Sequence, residues 1–271
     1  MTVRSFGKGV GVVAVLAFTL LPVWMMVSTA VNGRANSGSR SVWPEQFTFG
    51  NFVGLFRDGE FGRYLVNSVV VAAGTVLVSG LLALLAAVAV ARFRFRLRTS
   101  VLVVVLIVQM VPLEALVIPL FIQAKGLGLL NSLVGLIVVY LAFSLPFAIW
   151  TLRGFVAAVP AELEEAAYLD GCSWWRMFWS VLFPLVAPGL VATSVFSFIT
   201  AWNEFVFALT FMTDDRNYTV AVGLRNFFGQ HLTDWGSVMA ASTVITIPVL
   251  VFFVFAQKRL TDGLVAGAVK G

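Results

Sequence analysis

Six stretches of this chain are each about twenty residues or longer and almost free of charge, which is the length a helix needs to cross a bilayer. They lie near Val10–Val31, Ser68–Ala91, Val101–Ile122, Ser132–Leu152, Leu185–Met212 and Ser237–Ala256. All are rich in Val, Leu, Ala and Phe, and their length favours helices over buried strands. Only Glu114 and Glu204 place a carboxylate inside them. Of 271 residues, 60% are hydrophobic and 11% charged. An ordinary soluble domain carries about a quarter charged residues. A secreted disulfide scaffold, a disordered chain and a typical cytosolic enzyme are therefore excluded. The single cysteine, Cys172, has no partner for an internal disulfide. Twelve spans of about 20 residues each, with their loops, do not fit in this length. The expected fold is an all-α integral membrane protein, one domain over 1–271 with six transmembrane helices.

Pro22, Pro112, Pro119, Pro146 and Pro248 fall inside these spans. Transmembrane helices tolerate proline where neighbours satisfy the freed carbonyls. Arg4 and Lys8 precede the first span, and Ser28-Thr29-Ala30 resembles a cleavage site. The apolar run exceeds the roughly 7–15 residues of a signal-peptide core, so it reads as a retained span.

Lys and Arg set orientation. With the N-terminus inside, eleven of the 18 basic residues fall in the inner segments 1–9, 92–99, 153–184 and 257–271. The Arg92-Phe93-Arg94-Phe95-Arg96-Leu97-Arg98 loop weighs most and reads as a topology signal. Both termini are expected to be cytoplasmic. The net charge of +5 then reflects inner loops rather than nucleic-acid binding. In the outer segment Asn32–Asn67, the aromatics Trp43, Phe47, Phe49, Phe52, Phe56 and Phe61 are expected at the membrane interface.

The inner segment 153–184 carries the most specific pattern. Over Pro160-Ala161-Glu162-Leu163-Glu164-Glu165-Ala166-Ala167-Tyr168-Leu169-Asp170-Gly171 it predicts a short helix. Pro160 suits the first helical position, the glutamates suit the positive end of the dipole, and Gly171 suits the left-handed stop. Leu163, Ala166, Ala167 and Asp170 share one small, mostly apolar face. So short a helix needs a docking surface. A second, amphipathic helix is expected over Cys172–Phe183, with Pro184 and Pro188 at the entry to the fifth span.

The order Glu165-Ala166-Ala167, three residues, Gly171, nine residues, then Val181-Leu182-Phe183-Pro184 resembles the signature loop of ABC importer permeases. Val181 stands where that signature has Ile, and Phe183 where it has Leu. Gly263-Leu264-Val265-Ala266-Gly267-Ala268-Val269-Lys270-Gly271, Ala201-Trp202-Asn203-Glu204-Phe205 and Trp235-Gly236 resemble the maltose-type carbohydrate permeases, in particular their six-span second subunit. The tail usually has Thr where this chain has Val265.

The resemblance implies a type I importer permease fold with a cytoplasmic coupling helix, in the cytoplasmic membrane of a prokaryote. Glu164, Glu165, Ala166, Ala167, Asp170, Gly171 and Pro184 would form the ATPase-coupling loop, with Glu165 pairing with a basic residue of an ATP-binding subunit. Gly263, Gly267, Lys270 and Gly271 would reach the ATPase dimer. The implied partners are a second permease, two ATP-binding subunits, an extracytoplasmic solute-binding protein facing Thr213–Gly236, and the lipid bilayer. No Gly-x-x-x-x-Gly-Lys-Ser/Thr loop occurs here. ATP and Mg would therefore belong to the partner ATPase, with no cofactor and no metal on this chain.

A charge at the bilayer centre costs on the order of 3 kcal/mol or more, so Glu114 and Glu204 are expected to face an interior or a pathway. Gln109, Glu114, Trp202, Asn203 and Glu204 are candidate pathway residues. Trp202 would offer a stacking face, and Asn203 and Glu204 hydrogen bonds to sugar hydroxyls. Alternatively Glu204 ties helix ends together, and Glu114 is equally open to a structural role. His231, the single histidine, reads as solvated. A membrane-embedded enzyme would need convergent catalytic groups, and none is visible. The remaining alternative is an ion-coupled carrier or channel using Glu114 or Glu204.

Overall fold

The computed structural model describes residues 3–37, 42–57, 59–228 and 233–268. Among these the regular structure is helical, apart from two isolated bridges. The first helices are α1 (Val3–Ala30), α2 (Gly50–Arg57), α3 (Glu60–Arg92) and α4 (Arg98–Met110). A 3-10 turn over Leu113–Leu116 leads into α5 (Val117–Gly126), α6 (Leu133–Ala158), α7 (Ala161–Leu169) and α8 (Trp174–Met177). Then come α9 (Phe183–Asn203), α10 (Val206–Phe211), α11 (Val220–Gly223) and α12 (Trp235–Ala268). Among the described residues, 5 helices are long and apolar enough to span a membrane, or 6 if the bent pair α4–α5 counts as one span.

The third expected span, Val101–Ile122, is not one straight helix. Its two halves meet at 96°. Pro112 has no N–H, and its ring holds Val111 extended (φ −76, ψ 124), so the helical ladder stops there. The fifth expected span, Leu185–Met212, also breaks. α9 ends at Asn203, Glu204 is extended (ψ 124), and α10 starts anew.

Other boundaries move outward. The Trp174–Asn203 segment is one helical run through a π-helical turn at Phe178–Leu182, so Pro184 does not separate an interfacial helix from the span. The widened turn lies directly before Pro184, whose missing N–H removes an ordinary helical bond. The sixth apolar span, Trp235–Lys258, ends within two residues of the expected Ala256, while its helix α12 runs on to Ala268. No proline falls between Pro248 and Ala268 to end it.

The chain forms two compact units. The first comprises Met1–Leu65 with Val222–Pro248. In it the Asn51 amide donates to the carbonyls of Ala30 (2.9 Å) and Asn32 (3.2 Å), tying the end of α1 to α2. Phe61 is 2% exposed and packs against Phe56 and Phe227, so it belongs to the core and not to the interfacial aromatics. Trp43, Phe47, Phe49 and Phe56 are exposed. At the start of α12, Asp234 accepts from the Ser237 hydroxyl (2.6 Å), the Ser237 N–H (3.1 Å) and the Asn36 amide (2.8 Å). Desolvation alone would raise the Asp234 carboxyl. The hydrogen bonds from Ser237, Asn36 and the Gly236 backbone outweigh it and hold the carboxyl below its usual range.

The second unit comprises Val66–Ala221 with Val249–Gly271. Its core joins Ala83, Leu84, Ala87 and Val88 of α3 to Ala148, Leu152 and Val156 of α6, with Val186 of α9. Small residues let these helices approach closely. At Gly189 of α9 an added Cβ would run into the Phe155 ring of α6. The outward faces of the long helices carry exposed Val, Leu, Ile and Phe, as lipid contact requires.

Candidate functional site

Two places in the second unit gather the residues that the sequence singled out. The first is the turn between α6 and α9. Val159 is extended and Pro160 (φ −58, ψ 134) caps α7, so Ala161 and not Pro160 opens the helix. Glu162 and Glu164 occupy its first turn, where the dipole favours carboxylates. At its end Gly171 has φ 78. The Cys172 N–H reaches the Ala167 carbonyl (3.0 Å) and the Gly171 N–H reaches Tyr168 (3.0 Å), the paired bonds of a Schellman stop.

The two alanines of the signature face opposite ways. Ala167 is 7% exposed and packs into the core beside Met177, Phe178 and Leu182. Ala166 is exposed, as are Glu162, Leu163, Glu165, Leu169 and Asp170. Leu169 is 90% exposed, an apolar side chain standing free at the end of a solvated helix. The face expected from Leu163, Ala166, Ala167 and Asp170 is thus split, with Ala167 alone turned to the core. Glu164 is committed within the chain. Its Oε1 accepts from the Arg92 Nε at 2.6 Å. Arg92, read from sequence as a topology signal, makes the contact. Pro184 lies exposed in the first turn of α9.

The second place is where the two broken spans meet α6. A cavity of about 80 Å³ is lined by Leu113, Glu114, Phe143, Thr200, Glu204 and Phe207, among others. A neighbouring cavity of about 220 Å³ shares Leu113, Phe143 and Thr200 and adds Gln109 and Pro146. Glu114 of the third span and Glu204 of the fifth therefore line one cavity, and Gln109 of the third span lines its neighbour. Glu204 accepts three hydrogen bonds, from the Tyr140 hydroxyl (2.7 Å), the Phe207 N–H (2.9 Å) and the Ala208 N–H (3.0 Å). It caps α10 and ties it to α6, which is the helix-tying role that sequence left open.

Trp202 is 1% exposed and stacks on Phe198, so it presents no free face for a sugar ring. Asn203 is exposed and donates to the Ile199 carbonyl at 2.9 Å. Tyr140, Thr200 and Phe143 escaped sequence reading because nothing distinguishes them from ordinary span residues. Gly263 and Gly267 lie in the last turns of α12, while His231, Lys270 and Gly271 lie outside the described residues.

Residues 79–265 match the family described as "Binding-protein-dependent transport system inner membrane component". The chain belongs to this family. The permease is accordingly the membrane subunit of an ABC importer and is not itself the catalyst of ATP hydrolysis. It is 41% identical over 264 residues to the diacetylchitobiose uptake system permease protein DasC of Streptomyces coelicolor, covering 96% of each chain. It is 37% identical to the trehalose transport system permease protein SugB of Mycobacterium tuberculosis, covering 95% of the permease and 94% of that protein. A similar match, 38% over 97% and 95% of the two chains, links it to the trehalose/maltose transport system permease protein MalG of Thermococcus litoralis. Its fold is that of a chain in the crystal structure of a bacterial ABC transporter that imports alginate. The TM-score is 0.81 at 21% identity, over 94% of the permease and 96% of that chain.

Proposed function

We propose that the permease is the second membrane subunit of an importer for a di- or oligosaccharide, with both termini cytoplasmic and α7 as its coupling helix. The observation that carries the coupling role is the solvated face of α7, where Glu165, Ala166 and Leu169 stand exposed beside one another. A carboxylate beside a small residue and a free leucine fits a cleft with a basic rim and an apolar floor on an ATP-binding subunit. ATP-driven closure of two such subunits would drag α7 and switch the transmembrane helices between inward- and outward-facing arrangements. The sugar class is supported by the relatives named for diacetylchitobiose, trehalose and maltose.

The experiment is Glu165→Lys in the reconstituted importer. The variant is expected to assemble with its partner permease yet lose transport while ATP hydrolysis is uncoupled or the ATPase is no longer held. Normal transport by Glu165→Lys overturns the coupling role. Against the carrier alternative, one of its two carboxylates, Glu204, is engaged by three hydrogen bonds within the chain.

A further inference from the structure

We propose that Arg92 is a positioning residue that locks α7 to the end of α3, so that the two move as one body when the ATP-binding subunits pull on α7. The inference rests on the coupling reading of α7. Arg92 is the last residue of α3. Its Nε donates to Glu164 Oε1 at 2.6 Å and its Nη2 donates to the Val159 carbonyl at 2.8 Å. These acceptors stand on either side of Pro160. A single guanidinium therefore grips both the end of α6 and the first turn of α7. Its planar fork can serve two acceptors at fixed angles, which an ammonium on a flexible stem does not reproduce. The two side chains are only 18% and 12% exposed, so the pair is largely shielded from competing water.

α7 has nine residues and is too short to hold itself. Its other anchor is Ala167 in the apolar core, a non-directional contact that permits sliding and rotation. The Arg92 fork removes that freedom. Neighbouring glutamates thus divide the work: Glu164 faces inward to α3 and Glu165 faces out. Arg94 and Arg96 stay exposed and suffice for a basic loop, so topology alone does not account for Arg92. Beyond the grip, α3 carries Ser79, whose hydroxyl meets Ser197 of α9 at 3.3 Å in the buried interior. A displacement of α7 locked to α3 is in this way delivered to the membrane-embedded helices.

The test uses the full importer with Cys172→Ser, and spin labels at Phe93→Cys and Tyr168→Cys, both exposed positions. Their distance is measured without nucleotide and with ATP plus vanadate. With Arg92 present the distance is expected to stay constant between the two states. In Arg92→Ala it is expected to broaden and to shift with nucleotide. Arg92→Lys serves if the alanine variant fails to assemble, with the same shift at smaller amplitude. Glu164→Gln, which keeps an acceptor oxygen, is expected to restrict the distance better than Glu164→Ala. A nucleotide-dependent shift already present with Arg92, or no change in either Arg92 variant, overturns the proposal. Failure of the coupling reading itself would be visible separately, as absence of crosslinking between Leu169→Cys and the ATP-binding subunit.

Discussion

The Tyr140 hydroxyl on α6 donates to the Glu204 carboxylate at 2.7 Å, across the gap where the fifth span is interrupted. The same carboxylate accepts the Phe207 and Ala208 N–H groups. A charge inside a span is thus satisfied by three donors at the point where the backbone has stopped being helical.

Removing this carboxylate should therefore loosen the break. Glu204→Ala is expected to destabilise the permease by about 3 kcal/mol or more, since a buried hydroxyl and two helix N–H groups lose a charged partner. Glu204→Gln keeps an acceptor and should cost about 1–2 kcal/mol, with assembly intact and uptake lowered. Thermal unfolding of the purified complex and uptake into proteoliposomes measure both. An alanine variant as stable as the unaltered permease would contradict the capping role.

The two signature alanines should respond differently to the same substitution. Ala167→Leu overpacks the core around Met177, Phe178 and Leu182 and is expected to cost about 1–3 kcal/mol. Ala166→Leu lies on the exposed face and should stay within about 0.5 kcal/mol, yet weaken retention of the ATP-binding subunit. Melting temperature and co-purification separate the two effects. Equal loss of stability at both positions would refute the orientation of α7.

Gly171 holds φ 78 at the stop of α7. Gly171→Ala is expected to cost about 1–2 kcal/mol, and Gly171→Asn less, because Asn enters the left-handed region more readily. Nothing lies within 4 Å of an added Cβ there, so the cost is conformational and not a clash. Chemical denaturation of the three proteins checks the order.

Asp234 introduces a pH dependence outside the membrane. Its carboxyl lies below the usual range in the folded state. Its stabilising contribution is therefore complete above the ordinary carboxylate range and is lost as pH falls through the folded value. The unfolding temperature should drop in acid, and Asp234→Asn should flatten that decline. An unchanged acid limb in Asp234→Asn would remove Asp234 from the account.

Much of this architecture can be traced to local chemistry. The apolar runs had to become long helices, because the backbone has no partner in hydrocarbon other than itself. Pro112 explains the break in the third span once the structure shows it, and Pro160 and Gly171 bracketed α7 to within a residue. The limits of that reading lie at positions whose neighbours come from distant segments. Trp202 sits in a sequence that suits a pathway, yet Phe198 covers it. Arg92 looked like one arginine among four, until α6 and α7 brought Val159 and Glu164 to its guanidinium.

Charge scarcity and hydrophobic length dictated a membrane-spanning, all-helical chain, and the spacing from Glu165 to Pro184 marked its family, because these features depend only on neighbours along the backbone. Which carboxylate faces inward, which alanine is buried and which helices share a cavity followed from packing. Adjacent residues on a helix point about 100° apart. Where both faces are small or apolar, the hydrophobic pattern does not choose between them, and the choice falls to whichever helix arrives alongside. For Glu164 that helix is α3, bearing Arg92; for Glu204 it is α6, bearing Tyr140.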